Sequence, residues 1–516
     1  MIGKTVLSVT DDRLIMTIVQ HLISPATLPS TTSAVVPPPV TAADTSTAVA
    51  VDTVDDAQQS LSVLSYNILL PNSVDGWWTY KMYMPPLPKE LQYVSSWEYR
   101  KDLLKKRIQL INPDVVCLQE VSPISFKDDF DFMWNELGYD GHELFTKGRF
   151  RPVTFWKTTK CQLAKQDGKP NVAVTGIANK DRTLLTAFTL NHQDGEAEDQ
   201  AQKKNKYWYI LNCHLQAGKN GPRRVRQIFE GIKSALTMAR KLKDERKPVE
   251  ENIRLVVCGD FNGGAECGAV RFLEDGYIDE TFLEDGETVS SKKKVLPLSK
   301  PMIDVTTTVT RESSDQTEPP PTLVVSELIS SLIQNDGTEE AYSNPIYNQD
   351  MIDRLQRIYN RLATGGDDDQ KVMCLQDVEE WLIAINGKLG RGDEYREAAK
   401  QMGWKNPNPE EKLSKDEEKA IIELPKDGAL TFDGFLNVYK KELLAGKFWG
   451  IAYDMSILND PLPNIGNFEA RYDRMYYTDT TIKPIAVLDT ISKSPCPNDI
   501  EPSDHLPIAA SFKEVI

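Results

Sequence analysis

The sequence predicts an α/β protein, because strand and helix patterns alternate along most of its 516 residues. Two short apolar runs, residues 115–119 and 253–258, are typical of strands that are buried on both faces of a sheet. Residues 97–111 carry apolar side chains at helical spacing, and Pro113 follows them, so a helix should end just before the first of these strands. The length suits two or three domains.

The remaining elements follow in order along the chain. We predict further strands at residues 61–67, 182–190, 206–212, 472–478, 485–488 and 508–512. A basic amphipathic helix is predicted at residues 225–242. Residues 346–445 differ from the rest, because the apolar spacing there predicts four helices, at 351–362, 375–385, 394–402 and 432–444.

These patterns divide the chain into five segments. In order, they are a disordered leader (1–60), the first part of an α/β domain (61–280), a linker or long loop (281–345), an inserted helical module (346–445) and the last part of the α/β domain (446–516). The leader is assigned because residues 25–60 are mostly Thr, Ala, Ser, Pro and Val with almost no large apolar groups. The linker is assigned because it is rich in Ser, Thr, Glu, Lys and Pro.

Charge and cysteine content limit the classes of partner. The formal net charge is -16, and a field of that sign repels nucleic acid and anionic membranes. A polyanionic substrate would therefore need local basic groups and a metal ion. The 7 cysteines form no CxxC pair, which favours a reducing, intracellular and cytoplasmic location. No run of 18 apolar residues predicts a transmembrane helix.

Polar residues at strand ends are the candidates for a metal site. Glu120 follows the buried run 115–119, and Asn67 ends the strand before it. Mg²⁺ or Mn²⁺ prefers oxygen ligands, often one or two carboxylates. We predict Glu120, Asn67 and, near the C-terminus, Asp504 as metal ligands. The alternative for Glu120 is a solvated strand end.

A second group supplies acid, base and hydrogen-bonding functions. Asp260 and Asn262 follow the apolar run 253–258, where Asp260 could accept a proton from water and Asn262 could orient that water. His505 and His214 are two of only 5 histidines. His505 needs a carboxylate to orient it, and Asp473 is the candidate. The alternatives are a plain turn for Asp260 and structural or surface roles for the histidines.

Basic residues follow His214 closely. We predict that Arg223, Arg224 and Arg226 bind substrate phosphates and offset the overall acidity. The alternative is a solvated helix face.

At these residues the chain resembles the endonuclease/exonuclease/phosphatase family, in particular its deadenylase, nocturnin and angel branch. The resemblance lies in residues 65–69, 100–120, 212–215, 259–273, 472–478 and 503–507. It implies a four-layer α/β/β/α sandwich and a Mg²⁺- or Mn²⁺-dependent phosphodiesterase or phosphomonoesterase. It also implies that Glu120 holds the metal beside Asn67, that Asp473 orients His505 and that His214 contacts the phosphate. Residues 150–155 depart from the branch's pattern, so the resemblance does not extend to poly(A) specificity.

The inserted module resembles a pair of EF-hands. If Gly428 is the turn glycine, the second loop spans 423–434 and has Pro425 and Gly434 where ligands belong. The first loop, near 366–377, has Lys371 in place of that glycine. We expect little or no Ca²⁺ binding, and a module of this kind is suited to binding a protein partner.

Three functions remain open on the sequence. The first is a metal-dependent phosphodiesterase, in the form of a 3′-exoribonuclease acting on RNA or nucleotides. The second is a phosphatase acting on a small phosphorylated molecule or a phosphoinositide. The third is a calcium-responsive interaction protein with an inert catalytic fold, although Glu120, Asp260, Asn262, Asp504 and His505 are all present.

Overall fold

The structure, a computed structural model, describes most of the chain. The described residues are 5–8, 17–22, 60–71, 73, 93–166, 174–191, 207–242, 244, 247–308, 319–334, 344–367, 370–407, 417, 421–463 and 466–515. Within these ranges, none of the helices combines the length and the apolar character that spanning a bilayer requires.

The elements alternate as the sequence patterns predict. The strands are β1 (Thr5–Ser8), β2 (Thr17–Leu22), β3 (Ser60–Asn67), β4 (Val115–Val121), β5 (Gly141–Leu144), β6 (Arg151–Trp156), β7 (Cys161–Leu163), β8 (Lys165–Gln166), β9 (Val174–Thr175), β10 (Ile177–Lys180), β11 (Thr183–Leu190), β12 (Trp208–His214), β13 (Leu255–Asp260), β14 (Tyr277–Ile278), β15 (Leu283–Glu284), β16 (Glu287–Thr288), β17 (Lys294–Val295), β18 (Ile303–Asp304), β19 (Leu323–Ser326), β20 (Gly365–Asp367), β21 (Gln370–Val372), β22 (Asn467–Ala470), β23 (Asp473–Tyr477), β24 (Ile482–Asp489) and β25 (Ile508–Glu514). The helices are α1 (Trp97–Ile111), α2 (Phe126–Asp129), α3 (Asp131–Asn135), α4 (Gly221–Lys241), α5 (Val249–Asn252), α6 (Gly268–Glu274), α7 (Ile329–Leu332), α8 (Gln349–Leu362), α9 (Leu375–Asn386), α10 (Gly392–Gln401), α11 (Phe432–Leu444) and α12 (Phe448–Ile457), with a 3₁₀ turn at Val305–Thr308.

Two mixed sheets form the centre of the α/β domain. The first has eight strands in the order β1-β2-β24-β25-β3-β4-β6-β5, and the second has seven, in the order β10-β11-β12-β13-β23-β18 with β7 beside β11. Their inner faces share one apolar core, to which Val63 and Cys117 contribute from the first sheet and Ile210 and Cys258 from the second. This arrangement confirms the predicted α/β class and packed sheets.

Helices cover the outer face of each sheet and complete the four layers. Helix α1 packs on the first sheet, where Trp97, Leu104 and Ile108 join Leu64 and Leu118 in one core. Ser96 caps its first turn, and Asn112 ends it in a left-handed conformation with φ 51°. Helix α4 covers the second sheet, with Val225, Ile228 and Ile232 buried against β12 and β13.

The inserted module forms a separate apolar core, to which α7 and α12, outside the predicted bounds 346–445, also belong; both helices are counted with the module below. Helices α8, α9, α10 and α11 match the four predicted helices. Between them, the ring of Phe435 packs at an angle against Trp381 and edge-on against Tyr439. The two helix–loop–helix units are joined by an antiparallel bridge between Met373 and Leu430. A likeness to EF-hands in particular stays a prediction.

Two predicted boundaries differ from the structure. The linker at 281–345 is partly ordered, because β18 pairs with β23 in the second sheet and β19 pairs with β22. Strands of two to four residues carry too little periodicity to be recognised. In the predicted leader, β1 and β2 extend the first sheet through β24. The rest of 1–59 lies outside the described residues.

Candidate active site

Strand pairing brings the predicted residues together at one end of both sheets. In the first sheet β3 runs parallel to β4, with Asn67 opposite Gln119. In the second sheet β12 runs parallel to β13, which places His214 opposite Asp260. Asp260 in turn pairs with Asp473 on β23. Since the carboxyl ends of parallel strands meet at one edge, these side chains face a common site.

Glu120 reaches the site because the backbone leaves the regular strand at that residue. Its φ is 64°, and the register between β4 and β6 shifts between Leu118 and Val121. Leu70 N donates to Glu120 Oε2 at 3.1 Å, and Asn67 Nδ2 lies 3.5 Å from Glu120 Oε1. The side chain is 19% exposed, so it opens onto solvent at the site.

Asn67 lies where it was predicted, but its oxygen points elsewhere. Its Nδ2 donates to Asp260 Oδ2 at 3.0 Å, while its Oδ1 accepts from Leu69 N at 3.1 Å. In this orientation the amide nitrogen faces the carboxylates. The metal-ligand role of Asn67 therefore stays a prediction that requires its oxygen to turn toward the site.

A buried arginine holds the loop after β3. Arg100 donates to the carbonyl oxygens of Ile68, Leu69, Leu70 and Pro502, at 2.7 to 3.1 Å. It thereby joins the loop that contacts Glu120 to the segment that carries Asp504 and His505. Ser503 adds a second link, since its Oγ donates to Asn67 O at 2.7 Å.

Asp260 is the most heavily hydrogen-bonded carboxylate of the site. Its Oδ1 accepts from Asn262 N at 2.7 Å, and its Oδ2 accepts from Asn262 Nδ2 at 3.1 Å as well as from Asn67. Gly259 makes this turn fit, because its φ is 137° and a Cβ would lie 1.8 Å from the Cys213 carbonyl oxygen. Burial raises the pKa of Asp260 to about 7, with His505 lowering it and Asp473 and Glu120 raising it.

The two histidines of the site differ in charge. His214 Nε2 lies 3.7 Å from both Glu120 Oε1 and Asp260 Oδ2. Burial, followed by Arg182 and His505, lowers the pKa of His214 to about 3, so its imidazole is neutral. Burial also disfavours a charged His505, but the carboxylates of Asp473 and Asp504 outweigh it and raise the pKa of His505 well above its usual value.

The predicted pairing of His505 with Asp473 is present in the structure. His505 Nδ1 lies 2.6 Å from Asp473 Oδ2, and both side chains are buried. The contact uses Nδ1 and leaves Nε2 to face a ligand. Asp504 is 6% exposed, and its carboxylate contributes, after burial, to a raised pKa of Glu120.

Arg182 was missed by the sequence analysis. It is the second residue of the two-residue turn between β10 and β11, with φ 67°, and its carbonyl oxygen accepts from His214 N at 3.1 Å. Burial, then Arg223, lowers its pKa, whereas Asp181, Glu120 and Asp260 raise it, so the guanidinium lies near the carboxylates of Glu120 and Asp260. The sequence signal that could have identified Arg182 is its place directly before β11, the strand that pairs with β12 and its terminal His214.

The three predicted substrate-binding arginines are not equivalent. Arg226 is exposed and Arg223 is half-buried, and they lie 3.7 Å and 2.9 Å from the Asp181 carboxylate, beside Arg182. Arg224 is 3% exposed, forms an ion pair with Glu284 and donates to Gln216 O and Gly218 O. A direct phosphate contact from Arg224 is therefore wrong as predicted, because its donors face the protein interior.

The site fits a divalent cation. Glu120, Asp260, Asp473 and Asp504 bring four carboxylates to one buried region, and their mutual repulsion contributes to the raised pKa values of Glu120 and Asp260. Asp260, Asp473 and His505 also have ligand atoms within 4.8 Å of one another. Asp473 and His505 already bond each other, and Mg²⁺ prefers oxygen ligands. Glu120 and the neighbouring carboxylates are therefore better suited to hold Mg²⁺ than the cluster that includes His505.

Comparisons with known proteins identify the family of the chain. The profile of the endonuclease/exonuclease/phosphatase family matches residues 64–505. The 3′-5′-exoribonuclease subunit Ccr4 of the CCR4-Not complex from Schizosaccharomyces pombe is 25% identical over 261 residues, which is 42% of this chain and 35% of that protein. Mouse 2′,5′-phosphodiesterase 12 is 24% identical over 223 residues, 40% of this chain and 35% of that protein. The chain thus spans about a third of the length of these relatives.

Solved structures of similar proteins cover more of the chain. ANGEL2, a 2′,3′-cyclic phosphatase solved with adenosine-2′,3′-vanadate, is 14% identical with a TM-score of 0.42, over 89% of this chain and 96% of that one. The catalytic domain of human nocturnin is 14% identical with a TM-score of 0.38, over 89% of this chain and 94% of that one.

Proposed function

The chain belongs to the endonuclease/exonuclease/phosphatase family, and from that premise we propose that it is a Mg²⁺-dependent phosphodiesterase. One observation supports this most strongly. Glu120, Asp260 and the His505–Asp473 pair meet at one site, although they lie far apart in the sequence. Such a set provides a metal ligand, a base and a charged hydrogen-bond donor for one phosphorus centre.

Each residue has a role that its contacts support. Glu120 and Asp504, with Asn67, would hold Mg²⁺ (or Mn²⁺), which polarises the phosphate and stabilises its developing charge. Asp260, with a pKa of about 7, accepts the proton of the attacking water, and Asn262 holds Asp260 in place through two hydrogen bonds. His505 donates a charged hydrogen bond from Nε2 to a phosphoryl oxygen, and Asp473 orients it.

His214 and Arg182 complete the phosphate site. Neutral His214 donates from Nε2 without adding charge, and it lies between Glu120 and Asp260. Arg182 supplies a cation on the side of Arg223 and Arg226. Together these groups favour an anion in a chain whose net charge is -16.

For the substrate, we propose the 3′ end of RNA or a short oligonucleotide. The relatives support this class, since one is named as a 3′-5′-exoribonuclease subunit and another as a 2′,5′-phosphodiesterase. A phosphatase acting on a small phosphorylated molecule or a phosphoinositide is the second candidate, and the acidity of the chain favours it over long nucleic acids. A calcium-responsive protein with an inert site is disfavoured, because no member of the predicted set is missing.

The free cysteines and the inserted module bear on the cellular location and on protein partners. All 7 cysteines are free thiols, which supports a reducing, intracellular and cytoplasmic location. A protein partner bound through the helical module remains a proposal that follows from the size of that insertion.

Hydrolysis by the purified full chain tests this function. The substrates are oligo(A), mixed-sequence RNA, DNA, 2′,5′- and 3′,5′-linked dinucleotides, and a phosphoinositide, each with Mg²⁺ and again after chelation by EDTA. We expect Mg²⁺-dependent release of mononucleotides from RNA. Release of inorganic phosphate from the phosphoinositide alone would establish the second candidate instead, and turnover that survives EDTA would contradict both.

A further inference from the structure

A cleft of about 960 Å³ adjoins the active site at Asn262 and is lined on its other side by the helical module. We propose that this module supplies the wall that binds the nucleobase next to the scissile phosphate. Asn262, which holds Asp260, lines the cleft, and so do Phe448 and Trp449 of the module. The inference rests on the proposed phosphodiesterase function and adds the group that selects its substrate.

The module contributes an apolar and aromatic surface. Leu444 ends α11, is 62% exposed and lines the cleft, whereas its neighbour Leu443 is buried. Phe448 and Trp449 begin α12, with their rings at 80° and their centroids 6.4 Å apart. Trp449 is held in place, because its Nε1 donates to Ser326 O at 3.1 Å and its ring packs edge-on against Phe468. A fixed aromatic surface loses little entropy when a flat ring binds to it.

The α/β domain contributes an open, polar surface on the other side. Gly218 and Gly264 both line the cleft, and a Cβ on either would meet nothing within 4 Å. Lys219 and Asn220 precede α4, whose amino end opens onto the cleft without a side-chain cap. Lys219 adds a cation to this side of the cleft.

Acidic residues in the cleft are largely neutralised. Glu284 forms an ion pair with buried Arg224, and Glu266 lies 2.9 Å from Arg271. Asp285 adds one further carboxylate. The negative and positive charges around the cleft therefore nearly cancel, so an anion is repelled less here than the net charge of the chain suggests.

These features match the chemistry of a nucleotide. A base has two flat apolar faces and a polar edge, and stacking on an aromatic side chain tolerates any base. The cleft pairs an aromatic wall with backbone and amide groups, and Asn262, which holds Asp260, lies at its edge. An inositol ring offers no such flat apolar face, so an aromatic wall favours a nucleotide over a phosphoinositide.

The test compares two oligoribonucleotides that differ only in the base next to the cleaved bond. One carries adenine there and the other is abasic, and kcat/KM is measured for both with the full chain and Mg²⁺. We expect the wild type to prefer the base-bearing substrate by about tenfold, the order of one stacking contact. Phe448→Ala and Leu444→Ser should each reduce that preference severalfold. Phe448→Tyr keeps an aromatic ring and should retain the wild-type preference.

Controls separate this inference from the proposed function and from folding. Ile383→Ser alters an exposed apolar residue of the same module, 46% exposed and away from the cleft, and should keep the wild-type preference. Thermal unfolding of each variant reports on the fold, and exposed Leu444 can be replaced without opening the core. Cleavage of both substrates at equal rates would overturn the inference while leaving the function intact, and so would a preference that Phe448→Ala and Leu444→Ser both retain. A wild type that cleaves neither contradicts the function itself.

Discussion

His505 Nδ1 lies 2.6 Å from Asp473 Oδ2, and this contact determines which nitrogen of His505 faces the substrate. The carboxylate fixes the ring orientation and favours the imidazolium. The same Asp473 lies opposite Asp260 across the β13–β23 pair. Strand β23 therefore carries the carboxylate that orients His505 and places that carboxylate opposite Asp260. The positions of His505 and Asp260 thus depend on the same pair of strands, β13 and β23.

Glu120→Gln should abolish turnover at limiting Mg²⁺ while leaving the fold intact. The amide is nearly the same size but lacks the charge that a hard cation needs. The measurement is hydrolysis as a function of Mg²⁺ concentration, and thermal unfolding serves as the control. Wild-type turnover at limiting Mg²⁺ would show that Glu120 does not hold the metal.

Charge reversal of Arg223 and Arg226 together should weaken RNA binding and reduce its salt dependence. Each phosphate contact to a single strand contributes about 0.7 to the slope of log K against log salt, so losing two contacts should lower the slope by about 1.4. Binding measured over a range of salt concentrations gives that slope. Arg240→Glu, at the far end of α4, is the matched control because its side chain is also exposed (54%). An unchanged slope in the double variant would mean that the substrate lies elsewhere.

The full chain, saturated with Mg²⁺, should bind Ca²⁺ in the helical module weakly or not at all. Asp377, the last residue of the first loop, already accepts hydrogen bonds from Thr364 N, Thr364 Oγ1 and Cys374 N. The second loop has Pro425 and Gly434 at ligand positions, so too few oxygens remain for a cation that takes six to eight. Calorimetry with Ca²⁺ decides the matter, and micromolar affinity would make calcium control the leading idea.

Low pH should reduce the free energy of unfolding of the module, because Asp393 becomes protonated. Burial works against its charge, but Lys447 and Arg396 outweigh burial and lower the pKa of Asp393 to about 2. The unfolded chain has a pKa of about 3.9 there, so it binds more protons between these values and stability falls as the pH drops from about 4 to about 2. Asp393→Asn should flatten this part of the profile of unfolding free energy against pH. The effect is small, because the side chain is 48% exposed. A profile as steep as that of the wild type would place the acid sensitivity at other groups.

The sequence predicted the parts of the site that depend on local pattern. Glu120 and Asp260 each follow a buried run, and parallel pairing then brings such strand ends together. Arg182 was missed because its role depends on a hairpin that folds back beside His214, and no local spacing records that contact. Arg224 was misread for a related reason, since its partner Glu284 is 60 residues away in a segment predicted to be a linker.

The cleft was likewise invisible in the sequence. Its walls come from residues as distant as Gly218 and Trp449, and an exposed leucine such as Leu444 is unremarkable until its neighbours are known. The predicted strands and helices are present, because each carries enough residues for its period to be read, whereas α6 and α12 were not predicted. The two-residue strand β18 has no such period.

Turnover of the Asp260→Asn and His505→Ala variants, alone and combined, tests the central claim most directly. At saturating Mg²⁺ each single variant should lose about a hundredfold or more in kcat, since one removes the base and the other a charged donor. The double variant should lose far less than the product of the two, because both groups act on one phosphorus centre. Wild-type turnover in either single variant, or fully multiplicative losses in the double variant, would contradict a single phosphodiesterase site built on these residues.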